Sequence, residues 1–311
     1  MNIIEENYDC FTVYKNENEE DYSFHHIKIK DNEIFYKSLF DYFFSKDRLL
    51  RYTENNSNLK FHKSHKNYVR LYKELLKFID EENLQIDIKE FDKSIDSILT
   101  EEFKVENKNG KNIIRIDKYG KVGEYIFSCI LSEYFQWDCV IPKLNLVTNN
   151  NMSIFGIDTL FYSERDNIIF FGESKVSNSI TNGVLLIQYS LKDYQKKIEQ
   201  EYLLVLSERT IKKSRTFSKK FEKDINKCML FKDFITKAEL KNIGIPIFIA
   251  HGKEIDNYEI FTELKNIPRN DICNLNTKYY VISLPIINKD KMMAVFTKAI
   301  RDKEEVYKDN V

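Results

Sequence analysis

Two β-rich runs, Ile154 to Tyr162 and Ile168 to Lys175, flank the polar stretch Ser163 to Asn167. That pattern predicts an antiparallel hairpin with a medium-length loop. A fold-back centred between Arg165 and Asp166 sets Tyr162 opposite Ile169, Leu160 opposite Phe171, and Asp158 opposite Glu173. Side chains alternate faces along a strand, so Glu173 and Lys175 share one face and Ser174 takes the other. The second run is apolar at four consecutive positions, Ile168, Ile169, Phe170 and Phe171, as in a central strand covered on both sides. Two carboxylates and one ammonium therefore meet at the end of an apolar hairpin.

Such a grouping has two readings. Like charges a few ångströms apart in a desolvated place repel, and a bound Mg²⁺ or Mn²⁺ removes the conflict because both ions favour hard oxygen ligands. In the plainer reading, Lys175 simply neutralises Glu173 at a strand end. With Asp158 in the paired position, the metal reading is preferred. A third carboxylate lies upstream. Glu124 heads a helical stretch, Tyr119 to Phe135, in which Phe127, Ser128 and Leu131 fall on its own line and Ile126, Cys129 and Ile130 fill another side. A carboxylate at the head of a buried helix is costly unless something binds it. The alternative is that Glu124 pairs with the helix dipole.

Asp158, separated by fourteen residues from Glu173-x-Lys175 after a short apolar strand, resembles the motif of the PD-(D/E)xK nucleases. The resemblance implies that Asp158, Glu173 and the backbone carbonyl of Ser174 bind the metal. Glu124 completes the shell, and Lys175 orients or activates the attacking water. Gly123-Glu124, Pro142-Lys143, Gly156-Ile157-Asp158 and Glu173-Ser174-Lys175 together resemble the HamA family, nuclease subunits of Hachiman anti-phage defence. So do the strands around Ile245-Pro246 and Leu284-Pro285. This likeness spans roughly residues 110–300. It implies a DNA nuclease working with a superfamily-2-type, HamB-like helicase.

A chain of 311 residues exceeds what one hydrophobic core usually fills. A mixed, partly helical N-terminal lobe over 1–108, a surface for partner docking, and a nuclease domain over 109–311 are expected, divided at the turn-rich stretch Lys104 to Asn112. The second part reads as an α/β, restriction-endonuclease-like αβββαβ core with a mixed sheet flanked by helices. Its parts are the Glu124 helix, a strand within Asp138 to Val147 that Pro142 demotes to an edge or a bulge, the hairpin, a helix over Asn182 to Gln200, and a strand over Tyr202 to Leu206. Ile243 to Ala250 and Tyr279 to Ile286 read as further strands, followed by a terminal helix carrying Met292, Phe296 and Ile300. In the first part, Phe11 to Tyr14 and Tyr22 to Ile29 read as strands, the aromatic stretch 32–46 as a core helix, and Val69 to Phe78 and Phe91 to Phe103 as helices. His25 and His26 are adjacent on a strand, so they point to opposite faces and do not share a metal.

Net charge is −1, from 48 basic and 49 acidic residues, so any nucleic-acid surface is a local patch. The best candidate is Lys212, Lys213, Arg215, Lys219 and Lys220, within a run that serves equally as a solvated helix face. Lys143 is a weaker candidate for reaching phosphate, and Gln188 is either a site residue or an ordinary helix-surface position. The five cysteines show no Cys-x-x-Cys spacing, which disfavours a zinc ribbon or disulfide framework. With no apolar leader after Met1 and no run near the roughly 20 apolar residues of a membrane span, a cytoplasmic protein is expected. P-loop, dinucleotide-binding and nucleophile-elbow motifs are all missing, so ATP-driven work falls to a partner. The rival to a nuclease is a catalytically silent subunit or scaffold that docks a helicase.

Overall fold

The computed structural model describes residues 3–8, 11–16, 21–30, 35–55, 62, 64–80, 85–87, 104–108, 111–115, 119–141, 157–207, 223–225, 227–252, 257–287 and 289–308. In chain order the strands are β1 (Ile3–Asn7), β2 (Phe11–Asn16), β3 (Tyr22–Ile29), β4 (Gln85–Asp87), β5 (Lys104–Lys108), β6 (Lys111–Arg115), β7 (Asp138–Ile141), β8 (Thr159–Ser163), β9 (Ile168–Ser177), β10 (Asn242–Gly252) and β11 (Asn276–Ile287). The helices are α1 (Phe35–Phe43), α2 (Lys46–Asn55), α3 (His65–Asp80), α4 (Tyr119–Glu133), α5 (Ile180–Ser190), α6 (Tyr194–Ser207), α7 (Phe231–Lys237), α8 (Asn257–Leu264) and α9 (Lys289–Lys308).

Face alternation explains the layering. On β9, Phe170 points into a cluster built from α1, α3, α4 and α9, with Tyr72, Phe127, Leu131 and Phe296 among its members. Ile169 and Phe171 point the other way, into a cluster with Ile187, Tyr194, Phe234 and Phe261 from α5, α6, α7 and α8. A strand covered on both sides favours a continuous apolar run, and β9 is apolar from Ile168 to Gly172 and buried until Lys175. The result is a mixed α/β fold with helices on both faces of an eight-stranded sheet, ordered β1-β2-β3-β11-β10-β9-β8-β7. Its centre is parallel, β3 to β11 to β10 to β9, and antiparallel pairs flank it on each side.

The hairpin register is the expected one. Tyr162 pairs with Ile169 and Leu160 with Phe171, across a four-residue turn that ends on Asn167 at φ 51°. Asparagine tolerates that left-handed conformation better than most residues. β7 is the outermost strand on this side and carries a register shift between Cys139 and Ile141, so the strand before Pro142 is both edge and bulged.

Two expectations are corrected. Tyr202 to Leu206 is helix, not strand. Tyr194, Ile198 and Tyr202 are buried at four-residue spacing while Leu203 is 47% exposed, so this apolar run is one face of α6. The single helix over 182–200 is instead two, broken at Leu191 to Asp193, with Asp193 at φ 54°. The strand that follows these helices into the sheet is β10, parallel to β9.

The turn-rich stretch 104–112 forms the β5–β6 hairpin of a small second sheet, ordered β4-β6-β5. β1 to β3, on the N-terminal side of the expected boundary, join the main sheet through β3 and β11. α2 follows the aromatic stretch directly and carries mostly polar residues. The helix expected over Phe91 to Phe103 lies outside the described residues.

Candidate active site

β9 runs five residues past the end of its pairing with β8. The ladder with β8 stops at Thr159–Gly172, whereas the ladder with β10 continues to Ser177. Among the described residues, no strand pairs with the β8-facing edge of β9 beyond Gly172, which leaves a notch there, and Asp158, just ahead of β8, fills its near end. The Asp158 N–H donates to the Gly172 carbonyl at 2.9 Å. Its carboxylate Oδ2 accepts from the Ser174 N–H at 2.6 Å and from the Ser174 hydroxyl at 2.8 Å. A side chain thus satisfies a strand-edge N–H that β8 is too short to reach.

Glu173 is 4% exposed, on the same face as Ile169 and Phe171. Two residues on, Lys175 shares that face and donates from Nζ to Glu173 Oε1 at 2.5 Å. Burial acts to lower the Lys175 pKa. The charges of Glu173 and Asp158, the hydrogen bond to Glu173 and, more weakly, the charge of Glu124 outweigh it and hold the ammonium above its ordinary value.

Glu124 reaches the site from the other layer. Two close approaches set the position of α4. A Cβ on Gly123 would lie 2.6 Å from Cγ2 of Val176, and one on Gly172 would lie 2.0 Å from Thr159 Oγ1 and 2.8 Å from the Phe127 ring. The bare backbone at these glycines lets the N-terminal half of α4 rest on β9 against Val176. Glu124 is half-buried there, at the head of a helix whose next seven residues are all buried.

Asp158, Glu173, Ser174 and Lys175 are therefore in direct contact as two bonded pairs, and Glu124 adds to the field at Lys175. Gln188 is half-buried and donates to the Asn266 carbonyl at 2.9 Å, a tie between α5 and the turn after α8. Lys143, Lys212, Lys213, Arg215, Lys219 and Lys220 lie outside the described residues.

Sequence reasoning missed the contribution of α6. The Tyr194 hydroxyl donates to the Phe171 carbonyl at 3.1 Å, and burial together with the charges of Glu173 and Asp158 pushes its pKa well up. Lys197, one turn on, has its pKa lowered by burial and by Lys175, with Glu173 and Asp158 opposing. The polar pair Lys192-Asp193 is a local signal for the break before α6. Nothing in its spacing tells which side of the helix meets Glu173.

The donor chemistry suits a hard divalent cation: carboxylate oxygens from Asp158 and Glu173, with Glu124 nearby, at the open end of a strand. Among the described residues, however, no three His, Cys, Asp or Glu side chains stand grouped to hold an ion. Glu173 is paired with Lys175, and Asp158 Oδ2 is bonded to Ser174. Holding an ion here requires Glu173 to share or release the ammonium.

The model of the HamA protein family matches residues 1–300 of this chain. The chain belongs to the HamA family. Family membership makes it a component of the multi-subunit Hachiman defence system, and the match takes in β1 to β3 as well as the Glu173 strand. No curated protein and no solved structure matches the chain. Among the described residues of this HamA family member, no helix is long and apolar enough to cross a membrane.

Proposed function

We propose that this HamA family chain is a Mg²⁺- or Mn²⁺-dependent nuclease of the PD-(D/E)xK kind. It hydrolyses DNA phosphodiester bonds in the cytoplasm as the effector of a Hachiman complex whose helicase subunit does the ATP-driven work. The observation that carries this reading is the Lys175 ammonium, bonded to Glu173 and in the field of Asp158 and Glu124 at the notch of β9. The order α4, β7, β8, β9, then the helices α5 to α7, then β10 supports it, since an αβββαβ core with β10 as the last strand has this order.

Asp158, Glu173 and the Ser174 carbonyl would hold the ion, with Glu124 completing its shell. A bound divalent ion supplies Lewis-acid stabilisation of the charge developing on the phosphoryl oxygens. Lys175 has three N–H donors and uses one on Glu173, leaving two to hold a water in line with the phosphorus. The apolar layer around Ile169, Phe171 and Tyr194 keeps bulk water from the inner side of the site, which strengthens every charge interaction in it.

The test is cleavage of linear, nicked and circular DNA with Mg²⁺ or Mn²⁺, by the protein alone and with its helicase partner and ATP. Glu173→Gln and Lys175→Ala should each abolish cutting while near-ultraviolet circular dichroism stays native. Variants that cut at the wild-type rate would end this assignment.

A silent, helicase-docking scaffold draws on the same ion pair, because Lys175 already neutralises Glu173. Thermal melting separates the two. An ion bound at one hundred times its dissociation constant adds about 2.7 kcal/mol of stability, and a scaffold gains nothing from Mg²⁺ or Mn²⁺.

A further inference from the structure

The notch holds the carboxylates of Asp158 and Glu173, with the charge of Glu124 also reaching Lys175, and the Lys175 ammonium is bonded to Glu173. A phosphodiester brings another negative charge to that place, so binding it calls for a second cation. α6 supplies one. Tyr194 is 3% exposed, and its bond to the Phe171 carbonyl pins the first turn of α6 onto β9 two residues ahead of Glu173. Residues three apart lie on the same side of a helix, so Lys197 follows Tyr194 toward the same face of the sheet.

Lys197 is half-buried, and its Nζ donates to the Ser190 carbonyl at 2.5 Å, at the end of α5. That bond uses one of three N–H groups and leaves two. Among the described residues no carboxylate lies within ion-pair distance of it. The ammonium nonetheless sits in the field of three acids, Glu173, Asp193 and Asp158, against one base, Lys175. A desolvated cation anchored to a neutral carbonyl beside an acidic notch is poised to take an anionic oxygen.

We propose that Lys197 is the phosphate-binding cation of this site, contacting a non-bridging oxygen of the substrate's phosphodiester. The inference rests on the nuclease reading above. It assigns to α6 a role in gripping the substrate, and it makes the break at Leu191 to Asp193 the feature that brings the grip to the notch.

The experiment is fluorescence-anisotropy binding of a short DNA duplex and a single-stranded oligonucleotide, in EDTA and across a salt series. It compares the wild type, Lys197→Ala, Lys197→Arg and Glu173→Gln. Lys197→Ala should weaken binding about tenfold on every sequence, as loss of one charge-assisted hydrogen bond does. It should also lower the slope of log affinity against log salt by about one. Lys197→Arg should keep most of both. An unchanged affinity and slope in Lys197→Ala overturns the proposal. So does a lowered melting temperature with an unchanged slope, which leaves Lys197 only its tie to Ser190, and so does failure of the wild type to bind DNA at low salt. Glu173→Gln protein that cuts normally with Mg²⁺ defeats the nuclease reading instead.

Discussion

β3 and β9 belong to one sheet with two strands, β11 and β10, between them, and each carries a pair of ionisable residues out of water. They solve the problem in opposite ways. On β3, His25 and His26 are neighbours in sequence and point to opposite layers. His25 packs edge-on against the rings of Tyr134 and Phe135, and His26 Nδ1 bonds the Ser283 hydroxyl at 2.7 Å. Burial drives both down, His25 to about 4 and His26 to about 3, so both are neutral at pH 7. On β9, Glu173 and Lys175 are two apart, share a face, and form an ion pair. Adjacent spacing isolates a charge and extinguishes it. Alternate spacing joins two charges in one ion pair.

The largest expected effect falls on the β9 pair. Removing Lys175 strands a carboxylate that is 4% exposed, and breaking a buried pair in this way costs about 3–5 kcal/mol, somewhat less here because the lysine is partly solvated. Urea unfolding of Lys175→Met, Glu173→Gln and the double variant measures it. The double variant should be more stable than Lys175→Met alone, and additive effects would mean that the two charges are not coupled.

Acid tests the β3 pair. An unfolded histidine takes up its proton near pH 6.5, whereas these two resist it until about pH 4 and about pH 3 in the folded chain. Between those values the unfolded state holds more protons, so stability falls as pH falls below 6.5. At about 1.4 kcal/mol per pH unit, each histidine accounts for roughly 3 kcal/mol by pH 4. His26→Gln should flatten this slope, and a slope unchanged in His26→Gln and His25→Phe would remove the contrast between the strands.

Gly123→Ala sharpens the comparison from the other layer. The new methyl meets Val176 at 2.6 Å, and crowding of that kind costs about 1–3 kcal/mol. Because the shift draws Glu124 away from Lys175, cleavage should fall by more than the stability loss explains. Smallest of all is Gln188→Ala, which loses one hydrogen bond, about 1 kcal/mol at most, and should leave cleavage at the wild-type rate. A Gln188 variant that folds normally but no longer cuts would put that residue back in the site.

Much of this was legible in the chain. The hairpin register followed from one loop and a period of two, so Leu160 met Phe171 and Tyr162 met Ile169 as expected. The burial of α4 followed from apolar residues on nearly every side of it. Tyr202 to Leu206 failed because a short apolar run looks alike in a strand and on a helix face, and only the partners Tyr194 and Ile198 at four-residue spacing decide between them. The N-terminal strands were legible as strands, but their place beside β11 was not, since strand neighbours far apart in sequence leave no local signature.

The sequence by itself determined the pair on β9. Side-chain alternation is a property of the backbone, and Glu-x-Lys on any strand puts acid and ammonium on one face. Tertiary structure alone decided what surrounds them: a β8 short enough to leave the notch that Asp158 fills, an α4 seated through Gly123, and an α6 turned back so that Tyr194 and Lys197 face Glu173. Those depend on where strands stop and how closely helices approach, and packing between distant segments fixes both.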